Sequence, residues 1–286
     1  KATPPTIKRA CVRAVLRGAT AARRVAVVDI ESPLDEKRKC VTYKLWASLP
    51  LRETTDMSRA DMSKDPKQVA AMFDGVAKRY DLVNDLLSLG QTKRWRKQVT
   101  RLIAPKPGMK ILDMAAGPGA SSEPLAKAGA EVVSADFSHG MLDAGRRQRP
   151  YLNFQWADAL ALPFGDNSFD LYTISFGLRN TQATEKALAE ALRVIRPGGR
   201  LVIVEFSAPT WRPFRTIYTN YLMSALPWIA KKTSSNPDAY IYLAESIRAW
   251  PDQEALAAKI KAAGWTDITW TNLTGGVVAV HMAVKP

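Results

Sequence analysis

Three carboxylates stand where short apolar runs give way to polar turns. Asp113 lies in Lys110–Met114, Asp136 follows Glu131–Ala135, and Asp158 follows Asn153–Trp156. Directly after the first run comes Ala115-Ala116-Gly117-Pro118-Gly119, and glycines there let a ligand approach the backbone because no Cβ intervenes. Asp136, 17 residues beyond Gly119, can accept two charge-assisted hydrogen bonds from vicinal ribose hydroxyls. Asp158 can take an adenine amino group while the small Ala159 leaves room for the ring. Each Asp read alone is equally a helix N-cap or a turn residue, but three in register at strand ends point to a nucleoside cofactor. A dinucleotide fold asks for a third Gly or Ala at position 122, and that position is Ser122. S-adenosylmethionine has no pyrophosphate and does not need it. Asp136 does not separate the two, since a nicotinamide cofactor would use the same device.

These residues need a scaffold that brings strand ends together, and the pattern supplies one. Apolar strands alternate with helices, the mark of a parallel sheet with crossover helices. Strands are expected at Lys110–Met114, Glu131–Ala135, Asn153–Trp156, Phe169–Ser175 and Arg200–Phe206, the last after a Pro197-Gly198-Gly199 turn. Helices fit 121–128, 140–148 and 184–195. A further helix near 252–263 precedes two closing strands, 266–272 and 277–284, split by Thr274-Gly275-Gly276. In such sheets ligands sit at the carboxyl ends of strands near the topological switch point. Upstream, Val69, Met72, Phe73, Val76 and Tyr80 recur at helical spacing, and a second apolar set follows at Leu82, Val83, Leu86 and Leu87 before Pro105 and Pro107 end the region.

The domain organisation expected is an extension over 1–61 and a catalytic domain over 62–286. That domain has a helical cap over 66–104 and an insert or lid over 208–250. Residues 1–56 carry twelve Lys/Arg against six Asp/Glu, no Met, and no acid before Asp29. They read either as a transit peptide, which would place the protein in the mitochondrial matrix, or as an extension upstream of a start at Met57 or Met62. The second is favoured because conventional patterning begins just after Met57. Cys11 and Cys40 are the only cysteines, so thiol catalysis and a disulfide framework are excluded from the core. With His139 and His281 as the only imidazoles, no metal is expected. Both histidines read as structural. No apolar run reaches the ~18–20 residues of a membrane span, so a soluble or peripheral, cytoplasmic protein is expected. The net charge of +14 would suit nucleic acid. However, the Asn/Asp-Pro-Pro-aromatic motif common in enzymes acting on base amino groups is replaced after strand four by Ser175-Phe176-Gly177-Leu178. No nucleic-acid partner is expected.

Several longer segments carry a likeness. They are Met72-Phe73-Asp74-Gly75-Val76-Ala77-Lys78-Arg79-Tyr80-Asp81, Leu87-Ser88-Leu89-Gly90-Gln91 with Arg94-Trp95-Arg96, and Ala135-Asp136-Phe137-Ser138 with Gly140-Met141-Leu142. Further on stand Ser175-Phe176-Gly177-Leu178-Arg179-Asn180, Ser234-Ser235-Asn236-Pro237, Ala244-Glu245-Ser246-Ile247 and Asn272-Leu273-Thr274-Gly275-Gly276. Over about 62–286 the chain resembles the C-methyltransferases of menaquinone and ubiquinone biosynthesis, and most of all the bacterial demethylmenaquinone branch. The resemblance implies a class I S-adenosylmethionine-dependent methyltransferase fold: a Rossmann-like seven-stranded α/β sheet, last strand antiparallel, helices on both faces. It also implies methylation of a prenylated quinol, demethylmenaquinol to menaquinol. The alternatives are the ubiquinone-pathway substrate 2-polyprenyl-6-methoxy-1,4-benzoquinol and a non-catalytic cofactor-binding subunit. Cofactor contacts carry over to Gly117, Pro118, Gly119, Asp136, Asp158, Ala159 and Ser175. Pro118 departs from the family's usual Thr and offers neither hydroxyl nor N–H, so the backbone of Gly117 and Gly119, or Ser121, must compensate.

The acceptor is a ring carbon, nucleophilic once an adjacent quinol hydroxyl ionises. At a phenol pKa of about 10 that costs on the order of 4 kcal/mol at neutral pH. A guanidinium in a dry site can supply much of it, and Arg179 with Asn180 is the expected pair. Tyr80 is expected to cover the cofactor or position the quinol. Arg is not a base, so water or a carboxylate must take the proton. In the insert, Trp211, Phe214, Ile217, Tyr218, Tyr221, Leu222, Met223, Leu226, Trp228 and Ile229 stand among Arg212, Arg215, Lys231 and Lys232. Aromatics with basic flanks suit a membrane surface. With Asn220 and Pro227 interrupting it, the insert should lie on a bilayer rather than cross it. A lid helix packed on the sheet, or a homodimer interface, is the alternative.

Overall fold

The computed structural model describes residues 64–76, 90–225 and 237–286. Tyr80, the second apolar set at 82–87, Trp228, Lys231, Lys232 and the expected extension over 1–61 lie outside the described residues.

Helix α1 (Pro66–Val76) and helix α2 (Gln91–Ile103) precede the sheet. Then come β1 (Lys110–Met114), α3 (Ser122–Lys127), β2 (Glu131–Asp136), α4 (His139–Gln148), β3 (Asn153–Trp156) and β4 (Phe169–Ser175). Helix α5 (Thr184–Val194) leads to β5 (Ile195–Phe206), followed by α6 (Arg212–Asn220), α7 (Pro237–Ala249), α8 (Gln253–Ala262), β6 (Thr266–Leu273) and β7 (Val278–Val284). The strands form one sheet in the order β3-β2-β1-β4-β5-β7-β6. The first five run parallel, and β7 lies antiparallel to both β5 and β6. This is the class I methyltransferase fold, with its order reversing between β1 and β4.

The central strands are near-continuous apolar runs because helices bury both faces. Side chains alternate across the sheet. Leu112, Tyr172 and Leu201 pack with Leu188 of α5 and Ile260 of α8, while Ile111, Leu171 and Val202 pack with Trp95, Val99 and Ile103 of α2. Helix α4 is capped by the Ser138 hydroxyl, which accepts the Met141 N–H at 3.0 Å, satisfying one of the donors every helix start leaves open.

Two elements differ from expectation. β5 begins at Ile195, not Arg200: Phe169 pairs with Ile195, the register shifts, and Leu171 pairs with Arg200. The Pro197-Gly198-Gly199 segment is a bulge within the strand. It stays in the sheet because Gly198 N–H donates to the Lys285 carbonyl and Lys285 N–H to that of Gly199, both at 2.9 Å. The insert, expected as a segment lying on a bilayer or as a lid helix, forms among the described residues α6, a π-helical turn over Tyr221–Ala225, and α7.

Candidate active site

At the sheet's switch point the backbone is forced into uncommon shapes. Ala115 after β1 and Phe176 after β4 both hold left-handed φ values, 55° and 58°, where a side chain is strained. The two turns touch so closely that a Cβ on Gly177 would lie 2.3 Å from the Ala115 Cβ, so only glycine fits. A cavity of about 650 Å³ opens beside them.

One side of this cavity is polar. Gly117, Pro118, Asp136, Asp158, Ala159 and Ser175 all line it, so the structure brings together six of the seven residues expected to hold the cofactor. The seventh, Gly119, supports the loop instead: its N–H closes the turn onto Ala116, and a Cβ there would meet Phe154 at 2.8 Å. Asp136 accepts N–H groups from Gly117 and Ser138, each at 2.8 Å. It thereby shapes the glycine loop while keeping lone pairs for a ligand. Burial raises its pKa against these hydrogen bonds. Asp158 accepts the Leu160 N–H at 2.8 Å through one oxygen. Asp113 is wholly buried beneath the loop. Its Oδ2 accepts the hydroxyls of Ser121 at 2.8 Å and Ser122 at 2.6 Å, while Oδ1 has no partner. Burial lifts its pKa to about 6. The hydroxyl proton of Ser121, one of the groups expected to make up for Pro118, is thus committed to Asp113. At Gly117, which lines the cavity, a Cβ would meet nothing nearer than Met141 Sδ at 4.0 Å, so space is open on that side of the loop.

The other side is apolar. Trp95, Val99 and Ile103 of α2, Phe206 of β5, and Phe214, Tyr218 and Leu222 of the insert form it. Trp95 is fixed by its indole N–H, which donates to Thr274 Oγ1 at 2.8 Å.

Arg179 and Asn180 stand between the two sides, in a 3₁₀ turn over Leu178–Asn180. Asn180 Oδ1 accepts the Tyr242 hydroxyl at 3.2 Å. Arg179 is only 4% exposed and is not a lone cation. Its guanidinium pairs with Glu205 at 2.8 Å and donates to the Phe176 carbonyl, while Nε has no partner. Glu205, 1% exposed, also accepts the backbone N–H of Arg179 at 3.2 Å and of Phe206 at 2.9 Å. Sequence reasoning missed Glu205, although the signal was present: a single acid in the otherwise apolar run Leu201–Phe206. It also missed Asp74 of α1, which accepts the Ser138 hydroxyl and the Gly140 N–H, the latter at 2.9 Å, and so ties α1 to the loop that follows Asp136.

Neither histidine lines the cavity. His139 stacks on Trp156 with centroids 6.1 Å apart. His281 is buried in β7 with Nε2 against the Gln253 carbonyl at 2.9 Å, and burial lowers its pKa. Among the described residues no group of three or more His, Cys, Asp or Glu is placed to hold a metal, and no helix is long and apolar enough to cross a membrane.

The fold and site have known counterparts. A demethylmenaquinone methyltransferase of Renibacterium salmoninarum is 61% identical over 229 residues, covering 80% of this chain and 97% of that protein. One from Paenarthrobacter aurescens is 62% identical, covering 80% and 91%. Among solved structures, the [4+2]-cyclase SpnF aligns with a TM-score of 0.57 at 18% identity, covering 80% of this chain and 97% of that one. That likeness speaks for the fold alone, since one fold hosts several chemistries. The model of the ubiE/COQ5 methyltransferase family matches residues 60–285, and the chain belongs to that family.

Proposed function

We propose that this protein transfers the methyl group of S-adenosylmethionine to a ring carbon of demethylmenaquinol. The observation that carries the reading is the two-sided cavity, in which a polar nucleoside site runs directly into an apolar chamber. The names of the relatives supply the substrate.

The residues present fit the cofactor. Asp136 has lone pairs for both ribose hydroxyls, Asp158 has an oxygen for the adenine amino group, Ala159 makes room for the ring, and the bare backbone of Gly117 admits the amino-acid portion. When bound, S-adenosylmethionine would supply a sulfonium-activated methyl group for transfer to the ring carbon, with S-adenosylhomocysteine as the leaving group. The chain's own part is to orient the quinol and favour its ionised form. Arg179 does this with a guanidinium held in place by Glu205, aiming its free N–H at the ionising oxygen. The ring proton leaves to water, because the carboxylate beside Arg179 is already held by three N–H donors. Tyr80, outside the described residues, is assigned by the resemblance alone to covering the cofactor or positioning the quinol.

The prenyl tail leaves past α6. Ile217 lines the cavity and is also 65% exposed, so the chamber opens beside it. Next to this mouth Trp211 is 67% exposed, with Arg212 and Arg215 also at the surface. We assign this face to an anionic membrane surface, where rings sit at headgroup depth and cations meet lipid phosphate. Co-sedimentation of Arg212→Gln/Arg215→Gln with anionic vesicles should fall below that of the parent, and equal binding removes the membrane assignment.

The reaction is tested with labelled S-adenosylmethionine and two acceptors, demethylmenaquinol and 2-polyprenyl-6-methoxy-1,4-benzoquinol. Label in the naphthoquinol alone is expected. Label in the benzoquinol alone would move the protein to the ubiquinone branch, and label in neither would overturn the reading.

A further inference from the structure

Among the described residues that line the cavity, Nε of Arg179, the hydroxyl of Tyr218 and the hydroxyl of Thr173 have no hydrogen-bond partner. The first two occupy the same corner. The Arg179 guanidinium lies 5.2 Å from the centroid of the Phe206 ring, and Phe206 and Tyr218 pack together against Leu222 and Ile247. The guanidinium charge acts on the Tyr218 hydroxyl. Arg179 comes from the turn after β4 and Tyr218 from α6, so two separate elements deliver one unused donor each to one place. A buried hydroxyl without a partner costs about 1–3 kcal/mol. Phenylalanine at 218 would fill the same space without that cost, so the hydroxyl needs a reason that the protein alone does not give.

We propose that Tyr218 binds substrate directly, its hydroxyl and the Arg179 Nε–H donating together to one ring oxygen of the methyl acceptor, the oxygen next to the accepting carbon. This rests on the quinol reading above and adds to it the residue that recognises the ring. A guanidinium has donors and no acceptor. Burial raises the Tyr218 pKa, so its hydroxyl keeps its proton and also serves as donor. Two convergent donors select an oxygen acceptor. They bind phenolate more strongly than phenol, which lowers the cost of the ionisation that makes the ring carbon nucleophilic. Neither group takes a proton in the step. The aromatic tyrosine of α6 is thereby part of the head-group site, while its neighbours Phe214 and Ile217 wall the tail.

The test is Tyr218→Phe, which removes one oxygen and leaves the packing. The ligand-free variant should melt at the parent temperature or slightly above it, because an unpaired buried hydroxyl has gone. A fall of several degrees would show a structural partner and overturn the proposal. With demethylmenaquinol at saturating S-adenosylmethionine, kcat should drop on the order of 10- to 100-fold, the loss of one hydrogen bond to a charged oxygen, with cofactor Kd unchanged. An unchanged kcat would also overturn it. A third measurement stands apart from the quinol reading: 1-naphthol, titrated by its ionisation-dependent absorbance. The parent should lower the apparent pKa of the bound naphthol and Tyr218→Phe should not. If the parent methylates no quinol, the functional reading fails, and the naphthol titration still decides the role of Tyr218: equal pKa values in the two proteins, or no binding by the parent, defeat it.

Discussion

Replacing Glu205 by Gln leaves a guanidinium buried without its counter-charge. Arg179 and Glu205 are 4% and 1% exposed and 2.8 Å apart, so solvent cannot screen the loss. The amide of Gln still accepts a backbone N–H, so most of the change falls on the charge. Breaking one partner of a buried pair costs about 3–5 kcal/mol, which for a domain of this size lowers Tm by roughly 6–20 °C. The cost belongs to the stranded cation, not to the pair. Arg179→Met/Glu205→Gln should therefore recover most of the stability, placing the double variant well above the sum of the two singles. Urea denaturation of parent, both single variants and the double variant measures the coupling. A Glu205→Gln penalty under about 1 kcal/mol, or additive single effects, would show that the pair is not energetically closed and that its geometry is incidental.

Other perturbations act on the cofactor side. Asp136→Ala should raise the S-adenosylmethionine Kd by tenfold or more, about 1.4 kcal/mol, because it removes a ribose acceptor and also releases Gly117 and Ser138; calorimetry showing less than a threefold change contradicts it. Asp74→Ala, which unties α1 from Ser138 and Gly140, and Gly140→Ala, whose Cβ would sit 3.1 Å from the Asp74 Cα, should each weaken cofactor binding several-fold, with unaltered affinity in both counting against the tie. Asp113 has its folded pKa raised to about 6 from an ordinary 3.8, so the folded state holds its proton more tightly than the unfolded state does. Its contribution to stability is full below about pH 4 and is lost as pH rises to about 6, a change of about 3 kcal/mol. Asp113→Asn should flatten that part of the stability–pH curve, and an unchanged slope would place the titration elsewhere.

The parallel strands were legible because burial on both faces writes near-unbroken apolar runs, as in Phe169–Ser175. The carboxylates were legible because a strand end is a position in sequence as well as in space. β5 misled because Pro197-Gly198-Gly199 is a local turn signal, whereas its place in the sheet is decided by hydrogen bonds to Lys285, far along the chain. The Arg179–Glu205 pair was hidden for a similar reason: it joins the ends of two neighbouring strands across 26 residues, and nothing local in either segment names the other. The apolar residues around α6 were read from sequence as one set, suited to a membrane surface or to a lid. In the folded chain they divide, Trp211 to the surface, Phe214 and Tyr218 to the cavity wall, and Ile217 to both, a separation that only packing creates.

That division bears on how a cationic cofactor and a phenolic substrate can share one chamber. A bare guanidinium next to a sulfonium would repel it and would itself be costly to bury. With Glu205 in contact, the corner carries little net charge, so the cofactor meets no strong opposing field. The quinol's tail, equally, meets an apolar wall. What remains is directional: the unpaired Nε–H of Arg179 and the Tyr218 hydroxyl act over hydrogen-bond distances and only on an atom placed between them. Their effect on an ionising oxygen is thus confined to a correctly seated ring. A quinol displaced along the chamber gains the apolar contacts of α2 and α6 without the stabilised phenolate, and so binds without reacting. In this arrangement the tail contacts govern affinity, while the two donors govern which oxygen ionises and hence which ring carbon receives the methyl group.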